Sequence, residues 1–353
     1  MSAGQMPAGQ MPAAEDAAGA GAAPGARGHG LRAPGMRDVG PEEMARFRRV
    51  ERVFLEVSAR RGYREIRTPT LEPLHLFTAA GALSPQLLDR VYSFLDWDGW
   101  SGERVVLRPD GTVPAVRWYE EQRAAQSGPA RLCYVQPVFR FAPGDAAREL
   151  WQCGIELLGL PAPEGDAELL LLARELLLAL GLDDLRYELA HPGLVRAALG
   201  AAGLEAAAQA ATYDRLLDGD RTVTEELAVR FPAVASALRL LFGVDGDAVG
   251  YLANLRAALL PLAPAAAAPI AELEAAARAL DAAGCPYALR PGTARNFEYY
   301  TGVTFSLSAA GEPCVSGGRY DGLGEALAGR AAPASGFGAD LLRLAELAVG
   351  LPS

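Results

Sequence analysis

The 353-residue chain contains no lysine; all 33 of its basic residues are arginine. No Schiff-base lysine and no P-loop lysine can therefore exist in it. Histidine is almost as scarce, at His29, His75 and His191, and the four cysteines, Cys133, Cys153, Cys285 and Cys314, are scattered without a C-x-x-C pair. A multi-histidine metal centre and a zinc knuckle are excluded, no bound metal or cofactor is expected, and reduced thiols are expected in place of a disulfide framework. No apolar, uncharged run reaches about 18 residues, and the beginning of the chain lacks a signal-peptide core, so a soluble cytoplasmic protein is expected, away from any membrane.

What is present is acidic and apolar. The 43 acidic residues outnumber the 33 basic ones, giving a formal charge of −10, which disfavours nonspecific binding to polyphosphate. Half of the residues are apolar, ample for one large domain or two ordinary ones. The arginine-only basic set, with its many alanines and glycines, is read as coding bias. Residues 1–33 are Ala, Gly and Pro with a tandem GQMPA repeat, a composition too poor in large apolar side chains to offset chain entropy, so a disordered tail is expected.

After Pro41-Glu42-Glu43, the residues Met44, Phe47, Val50, Val53, Phe54 and Val57 recur at helical spacing, which predicts an amphipathic helix ending at Gly62. Tyr63 to Pro69 alternates like a strand. Further strand-like runs are Val91 to Leu95, Val105 to Arg108, Leu132 to Phe141 and Gln152 to Leu158, with a helix over Val113 to Gln126. Asp166 is expected to cap the next, leucine-rich helix. Arg186 to Leu189 reads as a short strand, and Pro192 opens an Ala/Leu-rich helical stretch to about Gly284. Strands return at Tyr287 and Thr301 to Ala309, turn at Gly311-Glu312-Pro313, and end in a Gly-rich strand running into a last helix. The expected class is α+β: a core of residues 34–190 and 285–350, with 191–284 as a helical insertion. A doubly wound sheet fits poorly, because strict strand-helix alternation and G-x-G-x-x-G are missing.

Four segments carry candidate chemistry. LRPDGT, residues 107–112, puts an arginine, a carboxylate and a hydroxyl in one turn, where Asp110 and Thr112 could grip an ammonium; a solvated surface turn is the plainer meaning. Gln152 and Glu156, four apart on a strand, point to one face, and a carboxylate buried there needs donors or a cation. ARNFEYYTG, residues 294–302, sets Arg295 before Tyr299 and Tyr300, of which only one can reach a given face of a strand. In SGGRYDGL, residues 316–323, Gly317 and Gly318 allow close backbone approach, to a ligand or to a strand. Arg140 and Arg343 are ordinary surface arginines when taken singly.

Taken in order, GMRDVGPEE, GYREIRTPTLEP, LRPDGT, PVFRF, RELWQCGIELLG, ARNFEYYTG, SGGRYDGL and GFGADLLRL closely resemble the core of the histidyl-tRNA synthetase family, over residues 35 to about 347. The resemblance implies a class II aminoacyl-tRNA synthetase-like fold, a six-stranded, mainly antiparallel sheet flanked by helices, dimerising through its first motif. By the same resemblance, histidine-binding positions fall on Asp110, Thr112, Arg140, Gln152, Glu156, Arg295, Tyr299 and Tyr300. Asp110 stands where that family carries glutamate.

The departures concern the nucleotide. The loop after Arg140 is two residues short and carries Ala142 where the synthetases have a carboxylate, while Leu342 and Asp340 replace a glutamate and a glycine in the last motif. Such acids hold the metal that joins triphosphate to carboxylate, so adenylation is expected to be impaired. Nothing resembling an anticodon-binding domain follows, and no tRNA is expected as a partner. This pattern is similar to the regulatory subunits of ATP phosphoribosyltransferase. It implies a non-catalytic histidine sensor that works with a short-form catalytic subunit in histidine biosynthesis. A truncated histidine-activating ligase is the alternative, and a scaffold without ligand binding a third.

Overall fold

The computed structural model describes residues 32–80, 91–97, 102–125, 128–144, 146–217, 219–220, 222–243, 246–247, 249–292 and 299–348. The expected tail over residues 1–33 lies almost wholly outside the described residues, as does Arg295.

The first helix, α1 (Pro41–Arg60), has proline and two glutamates in its first turn, where a missing N–H and negative charge suit the helix start. Phe47, Val50, Phe54 and Val57 form its buried stripe. The strand expected at Tyr63 to Pro69 shrinks to β1 (Arg64–Glu65); past Ile66 the chain bonds to side chains instead of a ladder, Thr68 donating to Gln136 and the Thr68 and Pro69 carbonyls accepting from Arg108. A small antiparallel sheet follows from β2 (Leu71–Pro73), β3 (Ser93–Trp97) and β4 (Gly102–Leu107), with α2 (Leu74–Ala79) between β2 and β3. Next come α3 (Thr112–Gln122), β5 (Ala130–Phe139), β6 (Glu149–Leu158), α4 (Glu164–Ala179) and β7 (Leu185–Ala190).

Six helices then run in sequence, α5 (Pro192–Gly200), α6 (Ala206–Leu217), α7 (Thr222–Arg230), α8 (Pro232–Gly243), α9 (Val249–Leu259) and α10 (Ala267–Ala282). His191 opens them: its Nδ1 accepts from the Gly193 N–H at 3.0 Å, leaving Nε2 to donate to Glu272 at 3.0 Å. The chain closes with β8 (Tyr287–Leu289), β9 (Thr304–Ala309), β10 (Glu312–Arg319), α11 (Gly322–Ala328), β11 (Ala334–Asp340) and α12 (Leu341–Leu347). The turn between β9 and β10 falls at Ala310-Gly311, both at positive φ, so Glu312 and Pro313 belong to the strand.

The main sheet has eight strands in the order β1-β5-β6-β11-β10-β9-β7-β8, two more than expected. Its six central strands are wholly antiparallel, as anticipated. The two additions pair in parallel at the edges, β1 beside β5 and β8 beside β7. Parallel neighbours need a crossover, and the six helices supply the one between β7 and β8.

Strand alternation divides the sheet. Cys133, Val135, Cys153, Ile155, Leu157, Phe337 and Ala339 face the large apolar cluster built with α1, α4, α12 and the six helices. Leu132, Leu158 and Ala334 face a smaller cluster with α2, α3, Tyr299 and Tyr320. All four cysteines are buried thiols; burial pushes Cys133 and Cys153 up to about 12, which makes them inert.

One expectation is corrected at α4. Asp166 does not cap the helix but lies within its first turn, buried, where its carboxylate takes the Arg319 guanidinium at 2.7 Å and 2.8 Å. Arg319 is itself buried and also pairs with Asp321 at 2.9 Å. Removing one member leaves the other as an uncompensated buried charge. Arg319→Met is therefore expected to cost about 3–5 kcal/mol, read as a fall in the denaturation midpoint, with the double variant Asp166→Asn/Arg319→Met recovering part of it.

Candidate functional site

The site lies on the even-numbered face of β5, β6 and β11. Cross-strand register sets Tyr134 opposite Gly154 and Gly154 opposite Gly338; Glu156 stands between Leu132 and Gly336. The glycines of this face leave room that larger neighbours cross. A Cβ on Gly154 would meet the Tyr134 ring at 2.2 Å, one on Gly336 the Glu156 carboxylate at 2.2 Å, and one on Gly338 the Gln152 amide nitrogen at 2.8 Å. From above, Gly111 presses on Tyr134 in the same way. Side chains omitted from the sheet let Tyr134, Glu156 and Gln152 lie directly over its main chain.

Glu156 sits at the centre, 1% exposed. Its Oε1 accepts from the Tyr134 hydroxyl at 3.0 Å and its Oε2 from the Tyr320 hydroxyl. Among the described residues no basic side chain pairs with it. Burial, reinforced by the nearby Asp110 charge, pushes its carboxyl up to about 8 against the hydrogen bonds from Tyr320, Thr112 and Tyr134. Burial likewise holds the phenols of Tyr134, Tyr299 and Tyr320 well above their ordinary range, so they remain neutral donors.

The LRPDGT turn supplies the other wall. Arg108 is buried and structural: it donates to the carbonyls of Pro137 at 2.8 Å, Thr68 at 2.7 Å and Pro69 at 2.9 Å, stitching the turn to the end of β5. Asp110, 2% exposed, stands at the N-terminal end of α3, where the helix dipole favours a carboxylate. Gln152 Oε1 accepts from the Gly111 N–H at 3.0 Å, and the Thr112 hydroxyl lies among Glu156, Tyr134 and Tyr299. Arg140 donates to the Pro109 carbonyl at 2.8 Å, and its charge reaches Tyr300.

Seven of the eight candidate residues thus come to one place. The expectation that only one of Tyr299 and Tyr300 can face the pocket is overturned. Both precede β9 in a non-strand conformation, so alternation does not apply, and both rings lie against Tyr320, with centroids 5.6 Å and 6.4 Å away. Tyr134, Tyr320 and the glycines at 154, 336 and 338 went unassigned in the sequence. SGGRYDGL marked the place of Tyr320, but on account of its glycines.

The nucleotide-side departures also have structural uses. Asp340 turns its carboxylate back to cap α12, accepting from the Leu342 N–H at 3.0 Å. Leu342 is buried in the large apolar cluster. Arg343 pairs with Glu312 at 2.6 Å and Glu346 at 3.1 Å. Among the described residues no group of three or more His, Cys, Asp or Glu is placed to hold a metal ion, and no helix is long and apolar enough to cross a membrane.

A mainly antiparallel sheet flanked by helices, with buried carboxyl and phenol groups gathered over glycines on one face, defines a class II aminoacyl-tRNA synthetase-like core. A family model described as histidyl-tRNA synthetase matches residues 35–344. The ATP phosphoribosyltransferase regulatory subunit of Dehalococcoides mccartyi (strain CBDB1) is 44% identical over 308 residues, 87% of this chain and 74% of that one. Its namesake from Anaeromyxobacter sp. (strain K) is 38% identical over 312 residues, 86% and 87% of the two chains. A solved ATP phosphoribosyltransferase regulatory subunit/histidyl-tRNA synthetase from Bacillus halodurans is similar with a TM-score of 0.77 at 28% identity, covering 89% of this chain and 82% of that one. The chain belongs to the histidyl-tRNA synthetase family, alongside its members named as ATP phosphoribosyltransferase regulatory subunits.

A carboxyl raised in the fold destabilises it as pH climbs from the unfolded value of 4.5 to the folded value of about 8. Glu156→Gln removes that penalty. The variant is expected to melt higher than the parent at about pH 8.5, by the equivalent of a few kcal/mol, with the gain vanishing near pH 4.5. Paired melting curves across that range check it.

Proposed function

We propose that the chain is a regulatory subunit of ATP phosphoribosyltransferase, carrying out no bond-making step itself. It binds free histidine at the cluster around Glu156 and acts on a separate, short-form catalytic subunit, a glycosyltransferase, at the first step of histidine biosynthesis in the cytoplasm. The observation that carries this reading is the contrast between the two halves of the ancestral site. The amino-acid half is a sealed cluster of carboxylates, phenols and glycines. On the nucleotide half, Asp340 caps a helix, Leu342 fills the core and Arg343 is engaged with two glutamates. The names of the relatives support the same reading.

In this reading Asp110 takes the ligand's α-ammonium, aided by Thr112, and Arg140 matches its carboxylate. Gln152, Glu156, Tyr299 and Tyr300 surround the imidazole. Arg295 enters from the family resemblance alone. The chain pairs with itself through its motif-one region, and tRNA is not a partner. Histidine inhibits the assembly only by binding its inhibited state more tightly, a coupling of about 1–3 kcal/mol that acts equally in reverse.

The test is a melting series with and without histidine. At a hundred times its dissociation constant the ligand stabilises the chain by about 2.7 kcal/mol. Asp110→Ala is expected to abolish the shift, and Arg343→Ala to leave it. Histidine-dependent exchange of pyrophosphate into ATP should be absent; measurable exchange would overturn the proposal in favour of a histidine-activating ligase, and an unchanged melt in favour of a scaffold.

A further inference from the structure

Glu156 poses a question that its neighbours do not answer. A carboxyl group this deeply buried is normally paired with a cation, yet its oxygens are met by two neutral phenols and the Thr112 hydroxyl. Among the described residues, the elements packed around it add no compensating charge beside it. β5 presents Tyr134, the turn before α3 presents Asp110, and the start of α3 presents Thr112. The segment before β9 presents Tyr299 and Tyr300, the end of β10 presents Tyr320, and β11 presents only the backbone at Gly336. Arg140 acts at longer range on Tyr300, and Tyr63 feels the Glu156 charge without bonding to it. The phenols are held neutral by burial. The cluster therefore has two carboxyl groups, one movable proton and nowhere among these phenols to put a second.

Resting on the reading that the ligand is histidine, we propose that Glu156 and the imidazole of the bound ligand share a single proton, so that binding is governed by the proton count of the pair. The complex contains either neutral imidazole against the acid form of Glu156 or imidazolium against its carboxylate, and the two have the same composition. Protonated histidine meeting acidic Glu156 must release one proton to solvent from the ring. Neutral histidine meeting ionised Glu156 must take one up, held between a ring nitrogen and a carboxylate oxygen. Near neutrality the two partners already bring one proton between them, and none is exchanged.

The crossover falls between the ordinary imidazole value of about 6.5 and the value of about 8 for Glu156. Relative to about pH 7.3, affinity is expected to fall about eightfold at pH 5.5 and about threefold at pH 8.5.

The experiment is calorimetric titration of the full chain with L-histidine at these three pH values, each in two buffers of different ionisation heat. The expected result is release of nearly one proton on the acid side, almost none at the middle pH, and uptake of most of one on the alkaline side. In Glu156→Gln the alkaline uptake should fall to the small share that the ligand's α-amino group takes up to meet Asp110, while the acid release remains, because the amide cannot carry the shared proton. Histidine binding whose heat is independent of buffer on the alkaline side would overturn this inference alone. Absence of histidine binding at every pH would overturn the proposed function and this inference with it. The parent chain gives both readings, so a variant that fails to fold leaves the test intact.

Discussion

The contact on which the rest of the site depends is the meeting of the Glu156 carboxyl with Tyr134 and Tyr320. It joins two neighbouring central strands and the end of a third where glycines let side chains lie over the sheet. A carboxyl left there without donors would be intolerable, and one with an arginine beside it would already be satisfied. Two phenols hold the group in place, and among the described residues none supplies a compensating charge. Asp166 with Arg319 supplies the contrast in the same molecule, since there the charges close on each other.

Much of this was legible in the sequence. Period-two alternation assigned Gln152 and Glu156 to one face, and helical spacing located α1, because both patterns are long enough to repeat. The order of short motifs gave the class of fold before any coordinate. What escaped was non-local. Both edge strands are legible as strands, but not that they join the main sheet in parallel, and the partner of Asp166 lies 153 residues further on, so a first-turn aspartate looked like a cap. Tyr134 and Tyr320 became visible only through the register that sets them on either side of Glu156.

Two groups of residues are held by different constraints. Glu156 and Gly336 are packed so closely that a Cβ on the glycine would run into the carboxylate, so neither can grow alone. The positions where the sequence departs from the synthetases serve ordinary folding tasks: a cap at Asp340, a core leucine at Leu342, and a surface ion pair at Arg343.

The glycines at 154, 336 and 338 have one more consequence. Because Tyr134, Glu156 and Gln152 pack directly onto main chain in the middle of a hydrogen-bonded sheet, any residue larger than glycine at these three glycine positions would have to push one of them aside, so the floor of the cluster admits no side chain of its own.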